Sequence, residues 1–311
     1  YDVCLVAAGS TRTTFDIEGA DEHALGFRSV DDAERIAARL DKLATRKRRA
    51  SVVIVGGGVS GIEAVGEILR RRGQGDEFNI HIVEVESDIL DQQLDGLARD
   101  AAQRFASCPV TVHTNAVVKE VSARHILLEG GDDLTADLCI WSAGMALPGF
   151  LGDAGLKGSH DQWLPVDETL KSDYADNIFV AGDCAALPAP IRKQAYYAMD
   201  MGEAAGDNIG RLLEGRRLKV FHAKPMPMLM SFGDITTWLV AGEAAIASPL
   251  LAAAKEAVYQ ATMARLASPH EPLKYSADIV GRAVMATRQL LLPQLTPRKI
   301  LKGLTGSRVI F

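Results

Sequence analysis

Short apolar runs alternate along the chain with stretches of helical spacing. Val3 to Ala7 is an apolar run that stops at Gly9-Ser10, the pattern of a buried strand entering a loop. Val30, Ala33, Ile36, Ala37 and Leu40 follow Ser29, a suitable N-cap, and predict a helix over 30–43. The next apolar run, Val52 to Val55, ends in a glycine cluster. Behind it, Ile62, Val65, Ile68 and Leu69 form a helical stripe closed by Arg70, Arg71, Arg72 and Gly73, which suit a helix C-terminus. Phe78, Ile80 and Ile82 alternate as a strand, and Leu94, Leu97, Ala101 and Phe105 form a further helix. Residues 110–112, 117–121, 126–128 and 139–141 read as short strands. Strands alternating with helices predict an α/β fold, a parallel sheet with helices on its faces.

Residues 148–176 are loop-rich, 178–181 form another buried strand stopping at Gly182, and a long helix is predicted over 194–213. The texture changes at Arg216. Pro225, Pro227 and the methionines Met226, Met228 and Met230, read as packing residues, precede two more helical patterns. The first starts at Ser248-Pro249 and carries Leu250, Ala254, Val258 and Thr262 on one face. The second carries Ile279, Ala283, Ala286 and Leu290. The basic run Arg46-Lys47-Arg48-Arg49 reads as a solvated connector and marks a boundary.

Composition narrows the function classes. The 311 residues are 48% hydrophobic and 24% charged, ordinary for a globular protein and incompatible with wholesale disorder. A net charge of -6 gives no footprint for nucleic acid. No apolar run reaches the roughly 18 residues of a membrane span; the longest, from Trp238 to Tyr259, is broken by Glu243, Pro249, Lys255 and Glu256. Cys4, Cys108, Cys139 and Cys184 are scattered without a C-x-x-C, which argues against a redox dithiol or zinc knuckle, leaves no metal site, and makes each a small buried hydrophobe. The reducing cytoplasm is the default compartment. The chain begins at Tyr1, already inside an apolar run.

The strongest chemical signal is Gly56-Gly57-Gly58-Val59-Ser60-Gly61, a G-x-G-x-x-G match at Gly56, Gly58 and Gly61 between a predicted strand and helix. In that setting the first glycine allows the tight turn, the second lets the backbone approach a pyrophosphate, and the third lets helix and strand pack closely. The helix N-terminus then offers N–H groups and partial positive charge to phosphates. Glu84 follows at the end of the next strand, 23 residues past Gly61, near the spacing of roughly 20 at which a carboxylate binds a ribose 2′-hydroxyl and repels a 2′-phosphate. This favours NADH over NADPH; Arg70, Arg71 and Arg72, at the far helix end, are poor partners for a 2′-phosphate. Glu63 either favours the helix dipole or faces the nicotinamide. Asp183, in Ala181-Gly182-Asp183-Cys184, sits just beyond a sheet's carboxyl edge, where it could accept hydrogen bonds from a polyol or cap a turn.

In order, these segments resemble the two-dinucleotide-binding flavoproteins, the pyridine nucleotide oxidoreductase superfamily, over roughly residues 1–215. Tyr1 to Ser10, with Gly9, is similar to that family's YD-x-LVIATGS segment. Gly56 to Glu67 is similar to its NADH-binding GGG-x-x-GVE-x-AGE, with Glu63 at the glutamate position. Ile140 to Gly144 is similar to its I-W-A-A-G exit, and Ile178 to Ala185 to its IFAIGDCA, whose aspartate, here Asp183, holds the FAD ribityl chain. The resemblance implies two Rossmann-like domains: an FAD domain at 1–45 and 146–215, split around an NADH domain at 46–145, with a C-terminal α+β domain at 216–311. The family's first G-x-G-x-x-G, which grips the FAD pyrophosphate ahead of the YD segment, is not in the chain: either the N-terminal part of the FAD domain lies upstream of Tyr1, which the interior start favours, or the chain does not bind FAD in the usual way.

The missing dithiol disfavours the disulfide reductases. The closer resemblance is to type II NADH dehydrogenases and to ferroptosis-suppressor and apoptosis-inducing-factor-like quinone reductases. It implies FAD and NADH as cofactors and hydride transfer from NADH to flavin, then electron transfer to a quinone-type acceptor. The type II AQ-x-A-x-QQG helix start is replaced by Ala195-Tyr196-Tyr197-Ala198-Met199-Asp200-Met201-Gly202. Lys193-Gln194-Ala195-Tyr196 is closer to the ferroptosis-suppressor branch and makes Lys193, Tyr196 and Tyr197 the positional candidates at the acceptor. The alternatives are a reductase of a protein electron carrier or specialised small molecule, and an NADH-sensing interaction protein. Residues 255–311 carry nine basic side chains against three acidic ones, interleaved with apolar residues such as Leu290 to Leu292 and Val309 to Phe311. That pattern suits an anionic membrane surface, hence a peripheral location, or else a homodimer interface or plain core with a solvated basic face.

Overall fold

The structure, a computed structural model, describes residues 1–71, 78–91, 95–156, 163–266 and 307–310. It divides into two compact units, a larger one of Asp16–Ala143 with Pro227–Phe311 and a smaller one of Tyr1–Phe15 with Gly144–Met226.

The larger unit is built on strands β2 (Ala24–Gly26), β3 (Ala50–Val55), β4 (Phe78–Val83), β5 (Val110–His113) and β6 (Leu138–Trp141), all parallel, in spatial order β2-β6-β3-β4-β5. The order runs outward from β3 through β4 to β5 and then returns to β6 on the other side of β3. The switch point of the sheet therefore lies between β3 and β6. Alternation sorts the strand residues between two faces. Val52, Ile54, Ile80, Ile82, Leu138 and Ile140 pack under helices α1 (Val30–Ala44), α2 (Val59–Arg71) and α3 (Asp95–Phe105). Val53, Val55, Val83, Cys139 and Trp141 face the other way. There the cover is, in place of the helices that the alternation of elements predicted, mostly a three-stranded antiparallel meander over 118–135 that contributes Val118, Val121, Ile126 and Leu128, beside the single helical turn Ala20–His23 that buries Ala20. Helix α1 starts where its sequence predicts: the Ser29 hydroxyl accepts from Asp32 N–H at 3.0 Å and Asp32 accepts from Ser29 N–H at 3.0 Å, a complete capping box.

The basic run 46–49 is not a free connector. Arg46 and Arg48 both reach the buried carboxylate of Asp137, at 2.7 Å each, and Ser51 N–H donates to it at 3.0 Å. Burial pushes the Asp137 carboxyl upward, but Arg48, Ser51 N–H and Arg46 outweigh it and hold the group below the ordinary carboxylate range.

The C-terminal segment was expected as a separate domain, yet its described strands have no core of their own. Strands β8 (Met228–Phe232), β9 (Thr236–Ala241), β10 (Ala244–Ser248) and β11 (Arg308–Ile310) form an antiparallel sheet. Its inward residues Met230, Phe232, Trp238, Val240, Ala245, Ala247 and Ile310 belong to the same apolar cluster as α2 and α3. Phe232 meets Phe105 edge-on at 5.1 Å, and Trp238 Nε1 donates to Asp100 Oδ2 at 2.8 Å, which Arg104 also holds at 2.7 Å. The contact is close because two glycines cross: a Cβ on Gly66 of α2 would stand 2.3 Å from Gly233 N, and one on Gly233 would stand 2.2 Å from Gly66 O. Gly66→Ala is therefore expected to lower stability by about 1–3 kcal/mol through overpacking. A denaturation midpoint unchanged from the parent would show that the crossing relaxes freely. Helix α5 (Leu251–Leu266) lies on this sheet. The predicted helix around 279–290 and most of the basic tail fall outside the described residues.

In the smaller unit, β1 (Cys4–Val6) pairs in parallel with β7 (Ile178–Val180), Leu5 opposite Phe179. Helix α4 (Ala195–Leu213) buries Met201 and Ala205 against Phe179, Val180 and Cys184. Cys139 and Cys184 are buried as expected, while Cys4 and Cys108 are half-buried.

Candidate functional site

The carboxyl edge of the larger unit's sheet is shaped by glycine. β3 delivers the chain to Gly56, whose φ of 105° is in the region that strains any L side chain. A Cβ on Gly56 would also lie 2.9 Å from Ala143 N, in the segment that follows β6. Ser142 locks the same crossing by donating from Oγ to Val55 O at 3.0 Å and Gly56 O at 3.1 Å. A Cβ on Gly61 would stand 1.9 Å from Gly56 O, so the first turn of α2 packs directly on the loop. Gly58 differs from both. It is exposed, and a Cβ there would meet nothing within 4 Å. The loop thus opens at Gly58 beside the N-terminus of α2, whose first-turn N–H groups a helix cannot pair internally. Both features lie at the switch point, where parallel sheets bind ligands, and together they offer backbone N–H groups and open space that could hold a pyrophosphate.

Glu84 follows β4, as its spacing from Gly61 predicts. Its Oε2 accepts from Gly57 N–H at 2.6 Å and its Oε1 from Glu86 N–H at 3.1 Å. The carboxylate is fastened to the glycine loop itself and keeps lone pairs for a hydroxyl. Glu63 is placed elsewhere. It accepts from Ser231 N–H of β8 at 3.0 Å and forms an ion pair with Lys255 of α5, which also donates to Ser231 Oγ at 3.2 Å. Neither expected role of Glu63 included this tie to the C-terminal sheet.

The smaller unit brings together the other predicted residues. Gly9 (φ 65°) and Gly182 (φ 78°) turn the chain at the ends of β1 and β7. Ser10 Oγ, beside Gly9, donates to Asp183 Oδ2 at 2.9 Å. Gly144 (φ 70°) has its α-carbon against Phe15 and Thr13, where a Cβ would clash at 2.5 Å. Lys193, just before α4, donates from Nζ to Asp183 O at 2.6 Å and Ala185 O at 2.8 Å, and lies 4.1 Å over the Trp163 ring. Burial pushes the Lys193 ammonium below the ordinary lysine value, against the upward pull of the Asp183 carboxylate. A cavity of about 380 Å³ adjoins these groups, lined by Trp163, Asp183, Ile191, Lys193, Tyr197 and Met201 among others. Tyr197 lines it; Tyr196 does not. Trp163 carries no local sequence signal, since it sits in a loop whose place beside Lys193 is set only by the fold.

The sequence profile of the pyridine nucleotide-disulphide oxidoreductases matches residues 1–202. The chain belongs to that family. The match holds the glycine loop, Glu84, Asp183 and Lys193, and ends before the C-terminal antiparallel sheet. Among relatives, the type II NADH:quinone oxidoreductase of Haemophilus influenzae is 25% identical over 274 residues, 76% of this chain and 61% of that protein. Demethylphylloquinone reductase of Synechocystis is 25% identical over 241 residues, 75% of this chain and 59% of that protein. The chain thus spans about three fifths of the length of these relatives. A solved structure of NDH2 from Plasmodium falciparum in complex with NADH superposes with a TM-score of 0.69 at 15% identity, covering 93% of this chain and 78% of that one. That likeness is one of fold, and it is the mixed α/β, Rossmann-like fold expected from the sequence. Among the described residues, no helix is long and apolar enough to cross a membrane.

Proposed function

We propose that this chain carries the NADH site and the ribityl-contacting segment of an FAD-dependent oxidoreductase that takes hydride from NADH and passes electrons to a quinone-type acceptor. Gly58 carries the reading. The packing of the chain explains Gly56, Gly61 and Gly66, whereas a Cβ on the exposed Gly58, in the same motif, would meet no atom of the described residues within 4 Å. A ligand phosphate that must reach the backbone requires a glycine there.

On this reading Gly56 to Gly58 and the first turn of α2 hold the pyrophosphate of NADH, and Glu84 accepts from the ribose 2′-hydroxyl while repelling a 2′-phosphate. Asp183, oriented by Ser10, accepts from the polyol of FAD. FAD when bound supplies the redox chemistry, accepting hydride and passing electrons on. Lys193 holds its proton at Nζ between two carbonyls and fixes the turn that carries Asp183. The cavity beside it is within the size range of small-molecule sites, and its Trp163, Ile191, Tyr197 and Met201 suit a flat apolar ring such as a quinone. The acceptors in the names of the Haemophilus and Synechocystis relatives favour the same class.

Two measurements test this. With the complete gene product, Glu84→Ala is expected to cut the preference for NADH over NADPH by roughly tenfold or more, the effect of losing one charge-assisted hydrogen bond. A preference left intact would remove Glu84 from the ribose. Steady-state oxidation of NADH should be supported by short-chain quinones and not by a ferredoxin; the reverse order would replace the quinone with a protein carrier.

A further inference from the structure

The amino-terminal edge of the larger unit's parallel sheet, opposite the glycine loop, carries a second concave site. It is an open groove of about 580 Å³, floored by Leu25, Ala136, Leu138 and Cys139 and walled by α1. On that wall Arg35, Arg39 and Lys42 fall at i, i+4 and i+7, one face of the helix, and span roughly 10 Å at 1.5 Å per residue.

The charges in the groove do not balance. Asp137 lines it, but its carboxylate is taken up by Arg46, Arg48 and Ser51 N–H. Arg39 Nη2 donates to the backbone carbonyl of Asp137 at 3.1 Å and has further N–H groups to give. The Arg35 and Lys42 side chains have no hydrogen-bond or ion-pair partner among the described residues. The opposing wall offers Glu22, largely exposed and 3.9 Å from His23. Three cations therefore face one solvated carboxylate over an apolar floor. A concave site of ligand size with one sign of charge on a wall and apolar residues beneath concentrates molecules of the opposite charge that also carry an apolar body.

We propose that this groove binds a small anionic organic ligand, a phosphate or carboxylate on an apolar ring or chain, at a site separate from the dinucleotide cradle. The anion sits against Arg35, Arg39 and Lys42, and the body lies on Leu25 and Leu138. The inference does not depend on the NADH reading, because it uses none of the same residues.

The test is isothermal titration of the complete gene product with 1-naphthyl phosphate, which carries both required parts. One saturable site is expected, unaffected by saturating NADH. Arg35→Glu or Lys42→Glu, exposed charge reversals outside the core, should weaken it by at least about tenfold. Ala38→Trp should abolish binding by filling the groove without changing charge. Lys119→Glu, the same charge change on an exposed strand position that does not line the groove, should leave binding as in the parent. Binding that does not saturate, that NADH displaces, that survives Ala38→Trp, or that Lys119→Glu weakens as much as Lys42→Glu does, overturns the proposal.

Discussion

Gly61→Val is expected to abolish the cooperative melting of the parent protein or to lower its melting temperature by about 10 °C or more, whereas Gly58→Ala should melt within a few degrees of the parent. The two positions belong to one motif and differ in what surrounds them. A Cβ on Gly61 would stand 1.9 Å from Gly56 O, and the loop cannot retreat because Gly56 itself is pressed against Ala143. Ile62 and Val65, in the same helix, are fully buried in the core. The clash must therefore be relieved by moving α2 off the sheet, a cost of about 4 kcal/mol or more, the range of the severest single substitutions. A Cβ on Gly58 meets no atom of the described residues within 4 Å. Its effect should fall on the ligand, with NADH affinity reduced by about tenfold or more as the added methyl holds the phosphate off the backbone. Equal melting temperatures for both variants, measured by calorimetry, would contradict the assignment of Gly61 to packing and Gly58 to binding.

Asp183→Ala is the second large effect. The carboxylate sits at the end of β7, half-buried, with Ser10 Oγ on one oxygen at 2.9 Å. Hydrogen bonds to a charged acceptor are worth about 1.5–3 kcal/mol each, so losing Asp183 should weaken flavin binding by roughly tenfold to a hundredfold. The purified variant should carry a small fraction of the parent's flavin per chain, while Asp183→Asn, which keeps a carbonyl acceptor, should keep more. A variant with the parent's flavin content would show that Asp183 serves the turn alone.

The parts of the molecule that the sequence made legible are those in which one local segment does the whole task. The glycine loop is local: strand, turn and helix start lie within Ala50–Arg71, and the atom that a Cβ on Gly61 would meet first, Gly56 O, belongs to the same segment. Helix α1 is local too, since its cap and its apolar stripe are both written in the residues 29–43. What was misread depends on contacts distant in the chain. Residues 216–311 read as a separate domain from their change of texture, and nothing near Trp238 announces that its indole donates to Asp100. Gly66 reads as one more small residue of a motif until Gly233 arrives against it. The run Arg46 to Arg49 reads as solvent-facing because its acceptor, Asp137, lies about ninety residues further on. The same holds at the candidate site, where Glu63 finds Lys255 and Ser231, and Lys193 finds Trp163, through tertiary packing alone.

On the proposed function, NADH bound at this loop reduces a flavin held by the same protein. Anaerobic titration of the complete gene product with NADH, followed by visible absorbance, tests it most directly. A yellow protein is expected, whose flavin absorbance is bleached by about one equivalent of NADH and restored by adding a short-chain quinone. A colourless protein, or a yellow one that NADH leaves unbleached, would contradict it.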